Sequence, residues 1–352
     1  MESSDNFRPV GFNLGGWLSQ SPLTDEHAKS FIRKEDFKTI AGWGFNSVRL
    51  PVDAPWLFEK EGRGPLSKDR TAFLKKVLKW AQEAGLVTIL DLHQGPWHSF
   101  SKPELENLWK SEEDLGAFCQ SWLELAHALK RTEAPLWFDV LNEPTAADSE
   151  DWNHVASRIY RALRMEDPKR VIMIESTCWG SVLRLNDLAE AVQGPNLVYS
   201  FHYYLPMAVT HQKAPWWEGA KAYSGEVAYP GKVPEVPENT PPNIHPLTRK
   251  ALEFEQGCYW DKERLRGTLK QAAQLVGQGN RVYCGEFGVY EKVARATRLN
   301  WTRDMVALFS ELKVGWGYWN YKWLDFGIWP KTPEGLTAPV DEEMLNILKA
   351  GI

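Results

Sequence analysis

The chain has 352 residues, of which 43% are hydrophobic and 25% are charged, and this composition is typical of a folded globular protein. Its formal net charge is only -5, so the charge balance favours neither a nucleic acid nor an anionic membrane surface as a partner. No apolar run approaches the roughly 18 residues that a membrane-spanning helix needs. The sequence carries no signal for a particular oligomeric state.

The N-terminal residues 1–10 are polar and lack the basic stretch and apolar stretch of a signal peptide. Two interpretations stay open, a cytoplasmic protein or a secreted one whose leader has been replaced by Met1. None of the four cysteines forms a close pair with metal-binding spacing. Cys178 follows one apolar run and Cys284 lies inside another, so we expect free thiols, although a disulfide stays possible.

Tryptophan is unusually common, with 18 Trp against 15 Phe and 11 Tyr. Core packing does not require this residue, because Phe and Leu fill the same space. A flat ring with a polar edge also suits the apolar C–H face of a pyranose. The count alone is a weak indication of a sugar-binding cleft and gains weight only from where the rings fall.

Eight short apolar runs recur along the chain, and several are almost continuously apolar rather than alternating. Such runs are typical of parallel strands covered on both faces. The runs are 10–14, 45–52, 87–93, 136–143, 170–176, 197–204, 281–288 and 315–321. Most are separated by segments with helical periodicity; in 70–84, for example, one apolar stripe repeats at helical spacing and ends at Gly85.

Eight alternations of strand and helix predict an α/β fold of the closed (β/α)8 class, the TIM barrel, as a single domain over residues 1–352. The rival is an open doubly wound sheet, which normally carries a Gly-rich phosphate turn that this chain lacks. Residues 205–260, between the sixth strand and its helix, form a far longer connection than usual. Because this insertion is rich in proline and aromatic residues, we expect an ordered excursion on the catalytic face of the barrel.

Polar side chains stand at the ends of six of the eight predicted strands. In such barrels the functional groups gather at the carboxyl ends of the strands. A single carboxylate there could simply cap the following helix, but six polar ends on one side of the barrel indicate a functional site. The residues concerned are Arg49, Asp91, His93, Asn142, Glu143, His202, Tyr204, Glu286, Trp319 and Asn320.

Glu143 and Glu286, on the fourth and seventh strands, would face each other across an aromatic cleft. Two such carboxyl groups suit cleavage of a glycosidic bond, since one protonates the leaving oxygen while the other attacks the anomeric carbon. The sequence shows no metal-ligand cluster, no Ser or Cys nucleophile with a paired His and no phosphate loop. We therefore expect no cofactor and no metal in the chemistry.

The motif Asn142-Glu143-Pro144 after one apolar strand and Gly285-Glu286-Phe287-Gly288 after another resembles glycoside hydrolase family 5 of clan A, in its bacterial cellulase or endoglucanase-like branch. The resemblance spans the chain. It implies that Glu143 is the acid/base, that Glu286 is the nucleophile of a retaining mechanism and that Asn142 bonds the sugar 2-hydroxyl.

The same resemblance implies roles for five further residues. Arg49 matches the arginine that holds the nucleophile, and His93 matches the histidine after the third strand. His202 and Tyr204 match the His-x-Tyr pair that touches the acid/base and the nucleophile. Trp319 matches the platform under the sugar before the scissile bond.

Other polar residues near the strand ends have more open roles. Glu175 ends the fifth strand and could serve as a third carboxylate. Asp91 and Asp139 lie within strands, where hydrogen-bonded structural groups are expected. His98 could reach the cleft, and His211 in the insertion could order the loop or contact sugar.

The resemblance implies a β-linked oligosaccharide or polysaccharide as the partner, most simply β-1,4-glucan or cellooligosaccharides. The start Asn13-Leu14-Gly15-Gly16-Trp17 is also similar to fungal exo-1,3-glucanases, so an exo-β-1,3-glucanase, another β-glucosidase or a mannan hydrolase stays open. A catalytically inactive sugar-binding barrel is the remote alternative. A retaining mechanism requires the two carboxyl groups to lie about 5–5.5 Å apart.

Overall fold

The structure, a computed structural model, describes residues 7–103, 107–223, 225–236 and 245–352. Eight parallel strands close into a barrel in which each pairs with its neighbours in sequence and the first also pairs with the eighth. The barrel strands are Val10–Asn13, Ser47–Val52, Val87–Leu92, Leu136–Asp139, Val171–Glu175, Leu197–Tyr203, Arg281–Phe287 and Gly315–Tyr318. The predicted closed (β/α)8 barrel is confirmed.

Helices surround the barrel, and among those described none combines the length and apolar composition that crossing a membrane requires. The α-helices are Asp25–Ser30, Lys34–Gly42, Ala54–Leu57, Glu59–Gly62, Lys68–Glu83, Glu112–Leu129, Ser149–Glu166, Thr177–Gly180, Leu185–Ala191, Met207–Thr210, Pro246–Glu255, Lys262–Thr268, Lys270–Gly277, Arg295–Glu311 and Glu342–Lys349. Two 3-10 helices cover Val182–Arg184 and Glu218–Ala222.

The periodic stripes found in the sequence form the faces that these helices turn to the barrel. Lys68–Glu83 buries Leu74, Val77, Leu78 and Ala81. Leu265, Leu269 and Ala272 form another apolar stripe at helical spacing, and it is divided between Lys262–Thr268 and Lys270–Gly277, with Leu269 buried at the break. Apolar spacing survives a break in hydrogen bonding, because burial depends on which side a residue faces.

Side chains inside the barrel form two layers on the same strands. The layer nearer the amino ends is apolar and buried, and it consists of Ile89, Trp137, Met173, Val198 and Tyr283. Asp91, Asp139 and Glu175 each follow an apolar member by two residues, and all three are fully buried. Because side chains two apart on a strand point the same way, the ionisable layer lies directly above the apolar one.

The insertion is ordered where it is described, as its proline and aromatic content predicts. It contains the helices Met207–Thr210 and Pro246–Glu255, and the strands Gly231–Lys232 and Tyr259–Trp260 pair in an antiparallel ribbon. Its residues 224 and 237–244, which include Pro237, Pro241 and Pro242, lie outside the described residues. All four cysteines are free thiols, which agrees with the expectation for Cys178 and Cys284.

One buried carboxylate anchors the root of the insertion. Glu255 is fully buried and accepts hydrogen bonds from the backbone N–H groups of Met207 (2.7 Å) and Ala208 (2.9 Å). Its own carbonyl accepts from the indole N–H of Trp260 over 3.2 Å. These contacts tie the far end of the insertion to the short helix that follows the sixth barrel strand.

Candidate active site

The strand ends meet at a cleft of about 390 Å³ on the carboxyl side of the barrel. Six of the eight residues expected in the site line it, namely His93, Asn142, Glu143, Tyr204, Glu286 and Trp319. Arg49 and His202 are buried next to these residues. A larger groove of about 630 Å³ lies outside the barrel between the helices Arg295–Glu311 and Glu342–Lys349, and none of the strand-end residues lines it.

Arg49 is the fully buried centre of the ionisable layer. Its Nε donates to Asp139 (2.7 Å), and its Nη2 donates to Asn142 (3.0 Å) and pairs with Asp91 (3.0 Å). Burial alone would lower the pKa of Arg49, but the surrounding carboxylates raise it well above its usual value. Asp91 and Asp139 are thus hydrogen-bonded groups inside the barrel, as the sequence predicts.

Glu286 is held at both carboxylate oxygens. Nη1 of Arg49 donates to Oε1 over 2.8 Å, and the hydroxyl of Tyr204 donates to Oε2 over 3.0 Å. Burial raises the pKa of Tyr204 well above its usual value, and the neighbouring carboxylate of Glu286 adds to that shift. The phenol therefore stays protonated and remains a donor.

Glu143 lies beyond a strand that is shorter than predicted. The fourth strand ends at Asp139 and not at Glu143, although residues 140–142 remain buried. Glu143 has a left-handed backbone with φ of 46°, and its N–H donates to Oε1 of Glu175 over 3.1 Å. A non-glycine residue in this region is uncommon and persists when its surroundings hold it there.

His202 stands between carboxylates. Its Nδ1 is 3.0 Å from Oε1 of Glu143 and 3.6 Å from Glu286, while its Nε2 is 3.1 Å from Oε2 of Glu175. Burial alone would lower the pKa of His202, but the carboxylates of Glu175 and Glu286 raise it well above the usual range. Glu175, which could have been a third carboxylate in the cleft, lies fully buried behind His202 instead.

His93 and Trp319 form one wall of the cleft. Their rings are parallel within 1° at a centroid distance of 6.0 Å. Nδ1 of His93 lies 2.7 Å from Asp91, and burial lowers the pKa of His93 to about 3, so the ring is neutral. Gly15 packs under the indole, where a Cβ atom would come within 2.6 Å of it. The glycine therefore leaves space for the ring of Trp319.

The insertion contributes to the cleft through some of its aromatic residues only. Trp216 lines the cleft and is 52% exposed, while Trp217 is buried at 7%. His211 also lines the cleft, and its Nδ1 is 3.0 Å from the hydroxyl of Thr210. That hydroxyl in turn donates to the carbonyl of Tyr204. His211 thus both orders the loop and faces the cleft.

His98 does not line the cleft. It is buried, and its Nε2 lies 2.7 Å from the carbonyl oxygen of Asn142, so it supports the loop that carries Glu143. Several lining residues were not predicted, and these are Gln20, Gln94, Phe100, Ser101, Leu324, Asp325 and Phe326. Their only signal in the sequence is their position in loops after the first, third and eighth strands.

Glu143, His202 and Glu286 are close enough to be considered as cation ligands. One ligand atom from each lies within 4.8 Å of the others. Both ring nitrogens of His202 already face carboxylates, with which they can share protons, so neither nitrogen is directed at an open metal position. The arrangement suits proton transfer and attack by a carboxylate better than coordination.

Comparison with known proteins agrees with this geometry. Residues 9–323 match the model of the family described as Cellulase (glycosyl hydrolase family 5). The chain is 33% identical to Endoglucanase C of Acetivibrio thermocellus over 344 residues, which cover 96% of this chain and 97% of that protein. It is 29% identical to Cellodextrinase A of Ruminococcus flavefaciens over 309 residues, covering 86% of this chain and 82% of that protein.

The fold agrees with that of a solved relative as well. A crystal structure of Thermotoga maritima Cel5A in complex with mannotriose superimposes with a TM-score of 0.75 at 22% identity, covering 98% of each chain. At this identity the likeness concerns the fold alone. The family match and the similarity to an endoglucanase establish the family: the chain is a glycoside hydrolase that belongs to glycosyl hydrolase family 5.

Proposed function

We propose that the chain hydrolyses β-1,4-glucosidic bonds in glucan or cellooligosaccharides with retention of configuration. Glu143 acts as the acid/base and Glu286 as the nucleophile. Arg49, Asn142, His202 and Tyr204 position these groups, and His93 and Trp319 bind sugar next to the scissile bond.

The observation that carries the proposal is the unequal surroundings of the two glutamates. Glu286 accepts hydrogen bonds from a buried guanidinium and a phenol, and these two donors orient its carboxylate oxygens for attack on the anomeric carbon. Glu143 contacts no arginine or lysine among the described residues, and its side chain is paired with His202. An environment that separates two carboxyl groups in this way is how one becomes the acid and the other the nucleophile.

The spacing of the glutamates supports retention. An oxygen of Glu143 and one of Glu286 lie within 4.8 Å of each other. An inverting enzyme needs roughly 6.5–9.5 Å to admit a water between the carboxyl groups, whereas a retaining one needs about 5–5.5 Å. Direct attack by Glu286 fits the shorter distance.

The glucan assignment rests on the similarity to an endoglucanase and a cellodextrinase along most of the chain. Mannan is a second candidate, because the resemblance of the sequence to glycoside hydrolase family 5 leaves a mannan hydrolase open. A catalytically inactive barrel is disfavoured, because both glutamates and their partners are present in a connected arrangement.

Proton NMR of the first product tests the mechanism and the substrate together. Cellopentaose, laminaripentaose and mannopentaose are supplied separately, and the anomeric signals are followed before mutarotation. We expect fastest turnover of cellopentaose and a β-configured new reducing end. An α-configured first product contradicts retention, and preference for laminaripentaose or mannopentaose contradicts the β-1,4-glucan assignment.

A further inference from the structure

Glu175 contacts both Glu143 and the histidine that is paired with it. Its Oε1 accepts the backbone N–H of Glu143 over 3.1 Å, and its Oε2 lies 3.1 Å from Nε2 of His202. The backbone of Glu175 is fixed too, since its carbonyl accepts from the buried indole of Trp152 over 2.7 Å. One buried carboxylate therefore contacts both the main chain of Glu143 and the histidine that holds the Glu143 side chain.

Two glycines leave room for this contact. A Cβ atom at Gly180 would come within 2.3 Å of Oε1 of Glu175, and one at Gly285 would come within 2.8 Å of Nε2 of His202. Gly180 also has φ of +68°, a backbone conformation that side chains rarely adopt. The local structure of the fifth and seventh strand ends thus accommodates the pair of Glu175 and His202.

The two facing atoms have only each other. Oε2 of Glu175 and Nε2 of His202 are buried and have no hydrogen-bond partner among the residues described, and their own contact is a close ion pair rather than an aligned hydrogen bond. Leaving either atom without a charge partner inside the protein would be costly. A proton on Nε2 opposite an ionised Glu175 meets both needs, because imidazole is the stronger base.

A proton held on Nε2 determines what the other ring nitrogen can do. Nδ1 faces Oε1 of Glu143 at 3.0 Å. With Nε2 protonated, Nδ1 can accept a proton from Glu143 or return it, while the proton on Nε2 stays in place.

We propose that Glu175 is a positioning residue for the acid/base, which fixes the backbone of Glu143 and keeps a proton on Nε2 of His202 so that Nδ1 and Glu143 share the catalytic proton. During glycosylation this proton passes from Glu143 to the leaving oxygen as the glycosidic bond breaks. During deglycosylation it is regained from the attacking water. The proposal rests on the assignment of Glu143 as acid/base.

Other charges face the pair from the neighbouring strands. Arg49, Asp139 and Glu286 each act on Glu175 or His202. Burial raises the pKa of Glu175, and the facing ring of His202 opposes that shift. His202 and Glu175 therefore titrate together, as coupled groups do. This pairing keeps a proton between them through neutral pH.

The test replaces the charge of Glu175 while keeping its shape. In Glu175→Gln the amide oxygen can still accept the N–H of Glu143, but the NH2 group faces Nε2 of His202 and favours its unprotonated form. Loss of the nearby negative charge also makes the proton shared by His202 and Glu143 easier to lose. The basic limb of the pH profile of kcat/KM on cellotetraose should move down by about one pH unit.

The leaving group separates this role from a merely structural one. At neutral pH, kcat/KM of Glu175→Gln on cellotetraose should fall about tenfold to hundredfold, less than the roughly 10²–10⁴ that a general acid supplies. With 2,4-dinitrophenyl β-cellobioside, kcat/KM should fall only about threefold or less, because its dinitrophenolate leaving group departs without being protonated. Equal losses on both substrates, or an unmoved basic limb, would overturn the proposal.

Glu255→Gln is the matched control, because Glu255 is equally buried and also accepts backbone N–H groups. Its basic limb should stay where the unaltered enzyme has it. If Glu175→Gln does not fold, nitrogen-15 NMR of histidine-labelled unaltered enzyme decides, with His202 assigned from the His202→Gln spectrum. Nε2 should carry a proton throughout the active pH range, and an unprotonated Nε2 there would contradict the proposal.

These experiments distinguish the inference from the proposed function. Failure of the unaltered enzyme to cleave cellotetraose would count against the glucan assignment. Full activity of the unaltered enzyme with an unchanged Glu175→Gln profile would refute only the positioning role of Glu175.

Discussion

Nη1 of Arg49 donates a 2.8 Å hydrogen bond to Oε1 of Glu286, and the two side chains are buried with 0% and 6% exposure. The same guanidinium also binds Asp139 and Asn142. Lysine cannot make these several hydrogen bonds in one plane, because its ammonium group is a compact point charge. The contact therefore links the order of the barrel interior to the orientation of Glu286, the proposed nucleophile.

Arg49→Lys should lower both stability and activity. Breaking a buried pair costs about 3–5 kcal/mol, since the partner charges stay buried. We expect a clear fall in Tm and in kcat/KM. Arg295→Lys is the control, because Arg295 is 51% exposed and pairs with Asp341 at the surface, where such pairs contribute about 0–1 kcal/mol. Equal effects of the two changes would contradict the central role of Arg49.

Glu286 should become covalently labelled by a 2-deoxy-2-fluoro cellobioside with a good leaving group. Both of its carboxylate oxygens are held by hydrogen bonds from Arg49 and Tyr204, and the fluorine slows release of the glycosyl-enzyme intermediate. Peptide mass spectrometry should find one added 2-deoxy-2-fluorocellobiosyl unit on the peptide that contains Glu286. A label on Glu143 or Glu175 would reassign the nucleophile.

Glu143→Ala should separate substrates by their leaving group. Cellotetraose hydrolysis should fall about 10²–10⁴-fold, because the leaving oxygen is no longer protonated. Formation of the intermediate from a dinitrophenyl glycoside should be largely spared, and added azide should restore turnover as a β-glycosyl azide. An unaltered rate on cellotetraose would contradict the role of Glu143.

Trp216 and Trp217 should differ although they are adjacent. Trp216 is half exposed beside the cleft, where its ring lies 4.9 Å from that of Tyr290. Trp216→Ala should raise KM for cellopentaose more than KM for a short aryl glycoside, with little change in Tm. Trp217→Ala removes a buried ring and should cost about 3–5 kcal/mol of stability. Thermal unfolding and KM are measured on both variants. Equal changes in Tm and in KM for the two variants would contradict the different roles of Trp216 and Trp217.

Stability should fall as pH rises towards neutrality, in part through Glu255. Burial raises the pKa of this carboxyl group from 4.5 to about 7 in the folded protein. The folded protein therefore keeps a proton that the unfolded chain has lost, and this stabilisation is present below the unfolded pKa and disappears as pH rises through the folded one. Glu255→Gln should show a smaller loss of Tm between pH 5 and pH 8 than the unaltered enzyme. The difference should correspond to the release of about one fewer proton on unfolding. An unchanged slope would contradict the shift.

The barrel could be predicted because its strands are short apolar runs separated by amphipathic helices. The eight runs correspond to the eight strands, with starts and ends that differ by at most four residues. The largest error is at Glu143, four residues after the end of its strand at Asp139. Residues 140–142 stay buried after the ladder ends, so hydrophobicity alone gives no sign that the hydrogen bonding has stopped.

The site could be predicted only in part. Strand-end residues such as Arg49 and Glu286 stand at recognisable points of the pattern. The partner of a buried group is not visible in one strand, because Glu175 contacts Glu143 and His202 from two other strands. The difference between Trp216 and Trp217 likewise depends on the path of the insertion and not on residue type.

The ionisable layer and the apolar layer lie on the same strands, so the positions of their side chains are coupled through the backbone. Trp137 and Met173 lie two residues before Asp139 and Glu175 on the same strands, so we expect a change of side-chain volume in the apolar layer to shift the ionisable side chains above it. Variants selected for altered pH optima should therefore include substitutions at the bottom of the barrel, far from any sugar.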